Sequence, residues 1–393
     1  MIGAAAALPS FGIDVSLPAL GATGAELGVS ADRAGLTISL FMLGYAVAPP
    51  FCGPLSDRIG RKPVLMAAVA LFAVASLGCG MAHALYDLLF WRAMQGMGAG
   101  VATALTYAII QDLFPGAAGR AKISDLASVM VFVPMVAPAA GAAVLAVGDW
   151  RSIHGLLAGI GFILLGSVWL FFAESARPDK TIRFSPTAIL HSYALALSYP
   201  VVLGYVLVNA AAFGALFAYI SGSSLFFIDA LGLGRGEYSL IYAATFIGIL
   251  VGVIANGRLS TWGVGPAWPL GTGIGLALAS AGAFFTAVLA GWEWVPGLAC
   301  ILILGTMGFG LIVPNAMHAA MQPLPNHAGA VSAMASFIQV ITQTIASALV
   351  VSFNSRSPGL SMAVVMGFCA VGALVAYRGV ARPAEANALL AQR

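Results

Sequence analysis

Long apolar runs separated by short polar stretches fill this chain. Two of them, Ala34 to Phe51 and Val64 to Ala82, flank its densest run of charge, Gly53 to Pro63, which reads G-P-L-S-D-R-I-G-R-K-P. Crossing about 30 Å of hydrocarbon takes about 20 apolar residues per helix. Dividing the chain on that basis gives about twelve predicted spans: Met1 to Leu20, Ala34 to Phe51, Val64 to His83, Leu88 to Ile110, Ser124 to Val147, Ile153 to Ala173, Val201 to Ser221, Tyr238 to Asn256, Ala267 to Leu289, Val295 to His318, Ala330 to Phe353 and Leu360 to Tyr377. Glu174 to Tyr199 is the longest polar connection and divides the chain almost in half, with Thr187 to Leu197 predicted as a short helix on the membrane surface.

The first span is unusual because a full crossing uses all of Met1 to Leu20 and leaves no tail before it. Either the start lies upstream or the helix is clipped at that end. A cleaved signal peptide fits poorly: no basic segment precedes the run, and Asp14 stands where an apolar core is required.

Composition agrees with the pattern. With 61% hydrophobic residues, 8% charged residues and a mean hydropathy of +0.98, the chain is excluded from the soluble globular class, where about a quarter of residues are charged. It reads as an all-α integral membrane protein with the lipid bilayer as its first partner. Its 47 glycines and 20 prolines suit membrane helices, where glycine permits close contact and neighbours re-satisfy backbone groups freed by proline. The net charge of +3 follows topology and gives no nucleic-acid surface. Cys52, Cys79, Cys300 and Cys369 lie in or at the ends of apolar runs without metal-ligand spacing and read as packing residues, with no metal site.

Charge also orients the spans. Arg58, Arg61, Lys62, Arg120, Lys122, Arg177, Lys180, Arg183, Arg258, Arg378, Arg382 and Arg393, twelve of the 17 basic residues, fall on one side of the predicted alternation. The positive-inside rule makes that side cytoplasmic, together with both termini. Trp91, Trp150, Trp292 and Trp294 then mark the outer boundary, and Trp262 and Trp268 the inner one.

Gly53, Leu55, Ser56, Asp57, Arg58, Gly60, Arg61, Lys62 and Pro63 complete the pattern G-x-L-S/A-D-R-x-G-R-K/R-P between the second and third spans. An ordinary basic connection explains the three cations but not the glycines, the proline and the aspartate. The run resembles the signature of the major facilitator superfamily, whose general architecture is two six-helix halves with the substrate site between them near the midplane. The resemblance implies twelve transmembrane helices in two six-helix pseudo-repeats: a bundle over 1–173, a cytoplasmic linker over 174–199, and a second bundle with a short cytoplasmic tail over 200–393. A faint second copy, Gly257, Leu259, Ser260 and Gly263, has Thr261 in place of the aspartate. In the superfamily the residues matching Asp57, Arg61 and Asp112 latch the outward-facing state. An exposed ion pair contributes only about 0–1 kcal/mol, so the start of the eleventh span near Ala330 is expected to add a helix-dipole contact.

Ionisable residues inside a span are functional candidates, because a charge there costs several kcal/mol unless partnered or hydrated. Asp14 lies about six residues, about 9 Å, from Leu20, and Arg92 about four residues, about 6 Å, into its span, so the two could meet at one depth. Asp14 reads as a proton carrier or as a cap at the Leu17-Pro18 helix end. Arg92 reads as its functional partner or as a cation snorkelling to headgroups. I-D-V-S-L-P-A-L at Ile13 to Leu20 resembles the D-x-Y-L-P-A-L segment of drug:proton antiporters of the Bcr/CflA (bicyclomycin and chloramphenicol exporter) type, with Ser16 in place of tyrosine. R-A-M-Q-G-M-G at Arg92 to Gly98 resembles that family's helix-four motif, whose arginine is implicated in proton coupling. Pro134, Pro138 and Gly141, in V-P-M-V-A-P-A-A-G, are similar to the antiporter motif of helix five, which implies a barrier to leak; simple packing is the other reading.

Tyr45, Tyr107, Phe132, Asn209, Phe213, Phe217, Tyr242, Phe246, Asn315, Gln339 and Gln343 are polar or aromatic residues within spans, of which Tyr45, Tyr107, Asn209, Phe213, Phe217, Gln339 and Gln343 are the candidates for a mixed apolar substrate cavity. The expected activity is export of small lipophilic compounds in exchange for protons across a bacterial-type cytoplasmic membrane, by a monomer that needs a proton gradient and no cofactor. The alternative is an uptake symporter or facilitator for a small nutrient on the same fold. An enzyme is disfavoured, since the chain has no H-E-x-x-H, nucleophile elbow, phosphate loop or clustered acid pair.

Overall fold

The computed structural model of the protein describes residues 2–114, 117–175, 197–324, 328–353 and 357–384. Among these the regular structure is entirely helical. The first span consists of α1 (Ile2–Asp14), a 3-10 turn (Leu17–Ala19) and α2 (Leu20–Glu26). There follow α3 (Ala31–Val47), α4 (Pro49–Ile59), α5 (Arg61–Gly80), α6 (Leu85–Leu113), α7 (Ala117–Val147) and α8 (Trp150–Phe171). The second half holds α9 (Pro200–Ser224), continued by a π-helical stretch to Ala230, then α10 (Arg235–Thr261), α11 (Ala267–Leu289), α12 (Val295–Met321), α13 (Ala328–Phe353) and α14 (Pro358–Val375). Among the described residues ten helical segments are long and apolar enough to cross a membrane, and the shorter apolar helices Arg33–Val47 and Phe132–Val147 bring the apolar helices to twelve.

The helices run past the boundaries expected from charge. Helix two does not stop at Phe51. Pro49 and Pro50 cannot donate backbone hydrogen bonds, so the helix breaks at Ala48, whose carbonyl then accepts from the amides of Phe51 and Cys52. It resumes as α4 through most of the charged run. The expected loop therefore shrinks to Gly60 alone, at φ 105°, a conformation that favours glycine. Asp112 lies in the last turn of α6, and Trp150 and Arg151 open α8 behind an Asp149 cap that accepts from the Ser152 amide at 2.9 Å. Continuing a helix into the headgroup layer pairs backbone groups that a loop would leave to water. The surface helix expected at Thr187 to Leu197 lies almost wholly outside the described residues.

Two compact units emerge, one comprising Met1–Phe184 with Phe227–Tyr242, the other Ser185–Phe226 with Ala243–Arg393. In the first, α1 packs on α6 and α7, and α5 on α6 and α8. In the second, α9 packs on α12 and α13, and α11 on α12 and α14. Each partner of the second list sits six spans after its counterpart in the first, so the packing repeats as the predicted pseudo-repeats require. The core of the second unit is built from Val202, Val206, Ile274, Ile312, Val331 and Tyr377 among others.

Candidate functional site

The first unit is organised around the break in its first helix. Pro18 has no N–H to give the carbonyl of residue i−4, which is Asp14, and α1 ends there. The freed carbonyls at this C-terminus need donors. Ser16 supplies its hydroxyl to Gly12 at 3.1 Å and to Ile13 at 2.8 Å, and the Ser16 amide also donates to Ile13. Arg92 Nη1 donates to the Gly12 carbonyl at 2.7 Å. A guanidinium on the carbonyl end of a helix also meets the negative end of its dipole.

Arg92 is 1% exposed, which rules out the snorkelling arrangement. It lies seven residues into α6, about 10 Å from Leu85, deeper than the shorter predicted span allowed. Its Nη1 also donates to Gln95 Oε1 at 2.7 Å, its Nε reaches the Thr37 carbonyl at 3.4 Å, and the guanidinium lies 4.8 Å from the centre of the Phe41 ring. Gln95 Nε2 in turn donates to Ser76 Oγ at 2.7 Å. Four helices, α1, α3, α6 and, through Gln95, α5, are thus tied to one cation.

Asp14 is 4% exposed. Because the span continues to Glu26, twelve residues further, the carboxyl stands about 18 Å from that end, twice the depth expected. Its Oδ1 accepts from the Tyr242 hydroxyl at 2.8 Å. Tyr242 is fully buried beside Tyr238, ring centres 5.8 Å apart, in the segment of α10 that belongs to the first unit. Asp14 and Arg92 form no ion pair; the arginine binds backbone two residues before the acid. Nor does Asp14 cap the next helix, for Ser16 precedes the 3-10 turn without a side-chain cap.

Gly141 belongs to the same arrangement. A Cβ on it would stand 2.0 Å from the Val15 carbonyl, one residue after Asp14. Pro134 and Pro138 are buried within the unbroken α7. The helix-five candidates therefore press on the break in helix one.

At the other end of α5, Arg61 bonds Ser56 and Asp57 through Nη1 and Asp112 Oδ2 through Nε at 3.0 Å. Arg58 is exposed and Gly53 lies within α4. Glu174 is the partner that sequence reasoning missed. Its carboxylate accepts from the amides of Arg61 at 2.8 Å and Lys62 at 3.1 Å, and Lys62 Nζ donates to the Trp169 carbonyl at 3.0 Å. An acid at a helix N-terminus satisfies unpaired amides and the dipole together. The contact expected near Ala330 lies outside the described side chains.

Of the remaining candidates, Tyr107 donates to Met130 Sδ at 3.4 Å and Tyr45 packs against Gly100, both in the first unit. In the second unit, Asn209 Nδ2 donates to Gln339 Oε1 at 3.2 Å, the Phe213 and Phe309 rings meet edge to face at 4.8 Å, Gln343 is buried and Phe217 half-buried. By sequence Tyr242 is only a ring within a span, with nothing local to mark its acid 228 positions away. Gln95 was legible in principle, one turn after Arg92.

A family model described as the Major Facilitator Superfamily matches residues 2–347. A bicyclomycin resistance protein homolog of Haemophilus influenzae is 24% identical over 377 residues, 96% of this chain and 94% of that protein. The multidrug resistance protein MdtL of Klebsiella pneumoniae is 29% identical over 232 residues, 59% of this chain and 58% of its own. Among solved structures, a D-xylose-proton symporter superposes with a TM-score of 0.75 at 16% identity, over 96% of each chain. At that identity the likeness speaks for the fold alone.

Proposed function

This chain belongs to the Major Facilitator Superfamily, is a multi-pass membrane transporter of small molecules and not an enzyme, and on that premise we propose that it exports small lipophilic compounds in exchange for protons. The names of its relatives, a bicyclomycin resistance protein homolog and a multidrug resistance protein, support export of drug-like cargo. The observation that carries the proton half is Asp14: a buried carboxyl at a helix break, bonded by Tyr242 and without an ion-pair partner among the described residues.

A carboxyl that gains or loses charge at such a position changes the local energy by several kcal/mol. A ligand shifts a conformational equilibrium only by its differential affinity for the two states, and a proton on Asp14 has that leverage because the acid is bonded to the 227–242 segment as well as to helix one. Arg92 fixes the broken end of α1, so the carboxyl stays in place as its charge changes. The helix-five residues Pro134, Pro138 and Gly141 seal the space behind the break against leak. Asp57, Arg61 and Asp112, with Gly53, Arg58, Gly60 and Lys62 around them, form the gating cluster on the cytoplasmic side. Asn209, Gln339 and Gln343, with the rings of Phe213 and Phe217, are the candidate substrate contacts of the second unit, and Tyr45 and Tyr107 those of the first. The protein works as a monomer in a bacterial-type cytoplasmic membrane, with both termini inside.

Transport into inverted vesicles tests this reading across a panel of small compounds. Accumulation of lipophilic members is expected while a proton gradient is present and is expected to stop when it is collapsed. Accumulation indifferent to the gradient would refute the exchange.

A further inference from the structure

We propose that a pocket between Arg92 and His154 binds a single water molecule that ties these two side chains together. Arg92 is 1% exposed and His154 5% exposed, and Arg92 Nη2 and His154 Nδ1 are both buried without a hydrogen-bond partner among the described residues. Both side chains line one cavity with Ser16, Thr23 and Thr37, with about 10 Å³ open to the centre of a water-sized sphere. That is room for about one water.

The hydrogen-bonding capacities select the occupant. Thr37 gives its hydroxyl proton to the Ala34 carbonyl at 2.7 Å, Thr23 to Ala19 at 2.9 Å, and Ser16 to Gly12 and Ile13. Their oxygens can then only accept, whereas Arg92 Nη2 can only donate. Water accepts from Arg92, pairs with His154 Nδ1 as donor or acceptor according to the ring's tautomer, and donates to one hydroxyl, which makes the three bonds usual for a buried water. An anion accepts from Arg92 but faces three oxygens with no proton to offer it. The ring of His154 is set for this role by Trp150, edge to face at 5.8 Å, whose indole is itself pinned to Glu26 Oε2 at 2.7 Å.

His154 then acts as a positioning residue: through the water it holds Arg92 on the Gly12 carbonyl. This second claim rests on the proton-coupling reading; the water site does not. An experimental map of the wild-type protein fine enough to show ordered waters is expected to have one peak within about 2.7–3.2 Å of both nitrogens. No peak, or an anomalous signal there after bromide soaking, overturns the site. His154→Leu is expected to lower proton-driven export about tenfold, the scale of one lost bond to a buried cation, and His154→Gln, which keeps polar atoms on the ring's side of the pocket, to restore most of it. Equal activity of the two variants overturns the positioning role. Export that ignores the gradient, with the water peak present, removes the coupling reading and leaves the site standing.

Discussion

The Tyr242 hydroxyl donates to Asp14 Oδ1 at 2.8 Å, joining residues 228 positions apart in the chain. Both are buried, and the bond brings the first two turns of α10 into the unit formed by the first half of the protein. A hydrogen bond to a charged group contributes about 1.5–3 kcal/mol, more than one to a neutral group. The strength of this tie therefore depends on whether the acid carries its charge.

Asp14→Asn keeps the shape of the side chain and an oxygen for Tyr242 but removes the exchangeable charge. Proton-driven export is expected to vanish while folded protein accumulates in the membrane at wild-type level. Vesicle transport with and without a gradient measures the first and size-exclusion profiles the second. Undiminished export by this variant would sink the assignment.

Arg92→Lys preserves charge and loses geometry. A lysine has one nitrogen where Arg92 uses separate nitrogens for Thr37 and for Gly12 with Gln95, and the two residues are not interchangeable at such sites. Gradient-driven export is expected to fall at least about tenfold, with a melting temperature lowered because bonds to a buried cation contribute about 1.5–3 kcal/mol each.

Gly60→Ala meets two obstacles at once, a φ of 105° and a Cβ position 2.3 Å from Glu174 Oε2. Strain of this backbone kind costs about 1–3 kcal/mol, before the Glu174 contact with the Arg61 and Lys62 amides is disturbed. Gly155→Ala, on a helix with nothing within 4 Å of the new atom, is the control and is expected to be neutral or mildly stabilising. Thermal unfolding in detergent should separate the two clearly.

Gly141→Ala would drive a methyl group into the Val15 carbonyl. Overpacking costs about 1–3 kcal/mol, and the strain falls on the residue next to Asp14. Export is expected to drop more steeply than stability, read as initial rate against melting temperature. A variant with full export would mean that α7 can move away from the break freely.

Spans were legible because the membrane demands long apolar runs, and Ala267–Leu289 matches its predicted bounds to the residue. Helix ends were not. Charge marks where hydrocarbon stops, whereas the backbone stays helical until a proline or a left-handed residue interrupts it. Hence Phe51 failed as a terminus and Gly60 succeeded as one. Asp14 and Arg92 stood out as rare charges in apolar surroundings, but what each touches depends on packing between distant segments. Pairing them by depth assumed that opposite charges seek each other; the free carbonyls left by Pro18 took the arginine instead. Glu174, at the edge of a polar linker, and His154, lone in an apolar run, had no local pattern to set them apart.

With only Gly60 between them, α4 and α5 share a single joint that is braced from the side by Glu174. Arg61 opens α5 while bonding Asp57 of α4 and Asp112 of α6, so a tilt of any one of these three helices must either carry its neighbours along or break a charge-assisted bond.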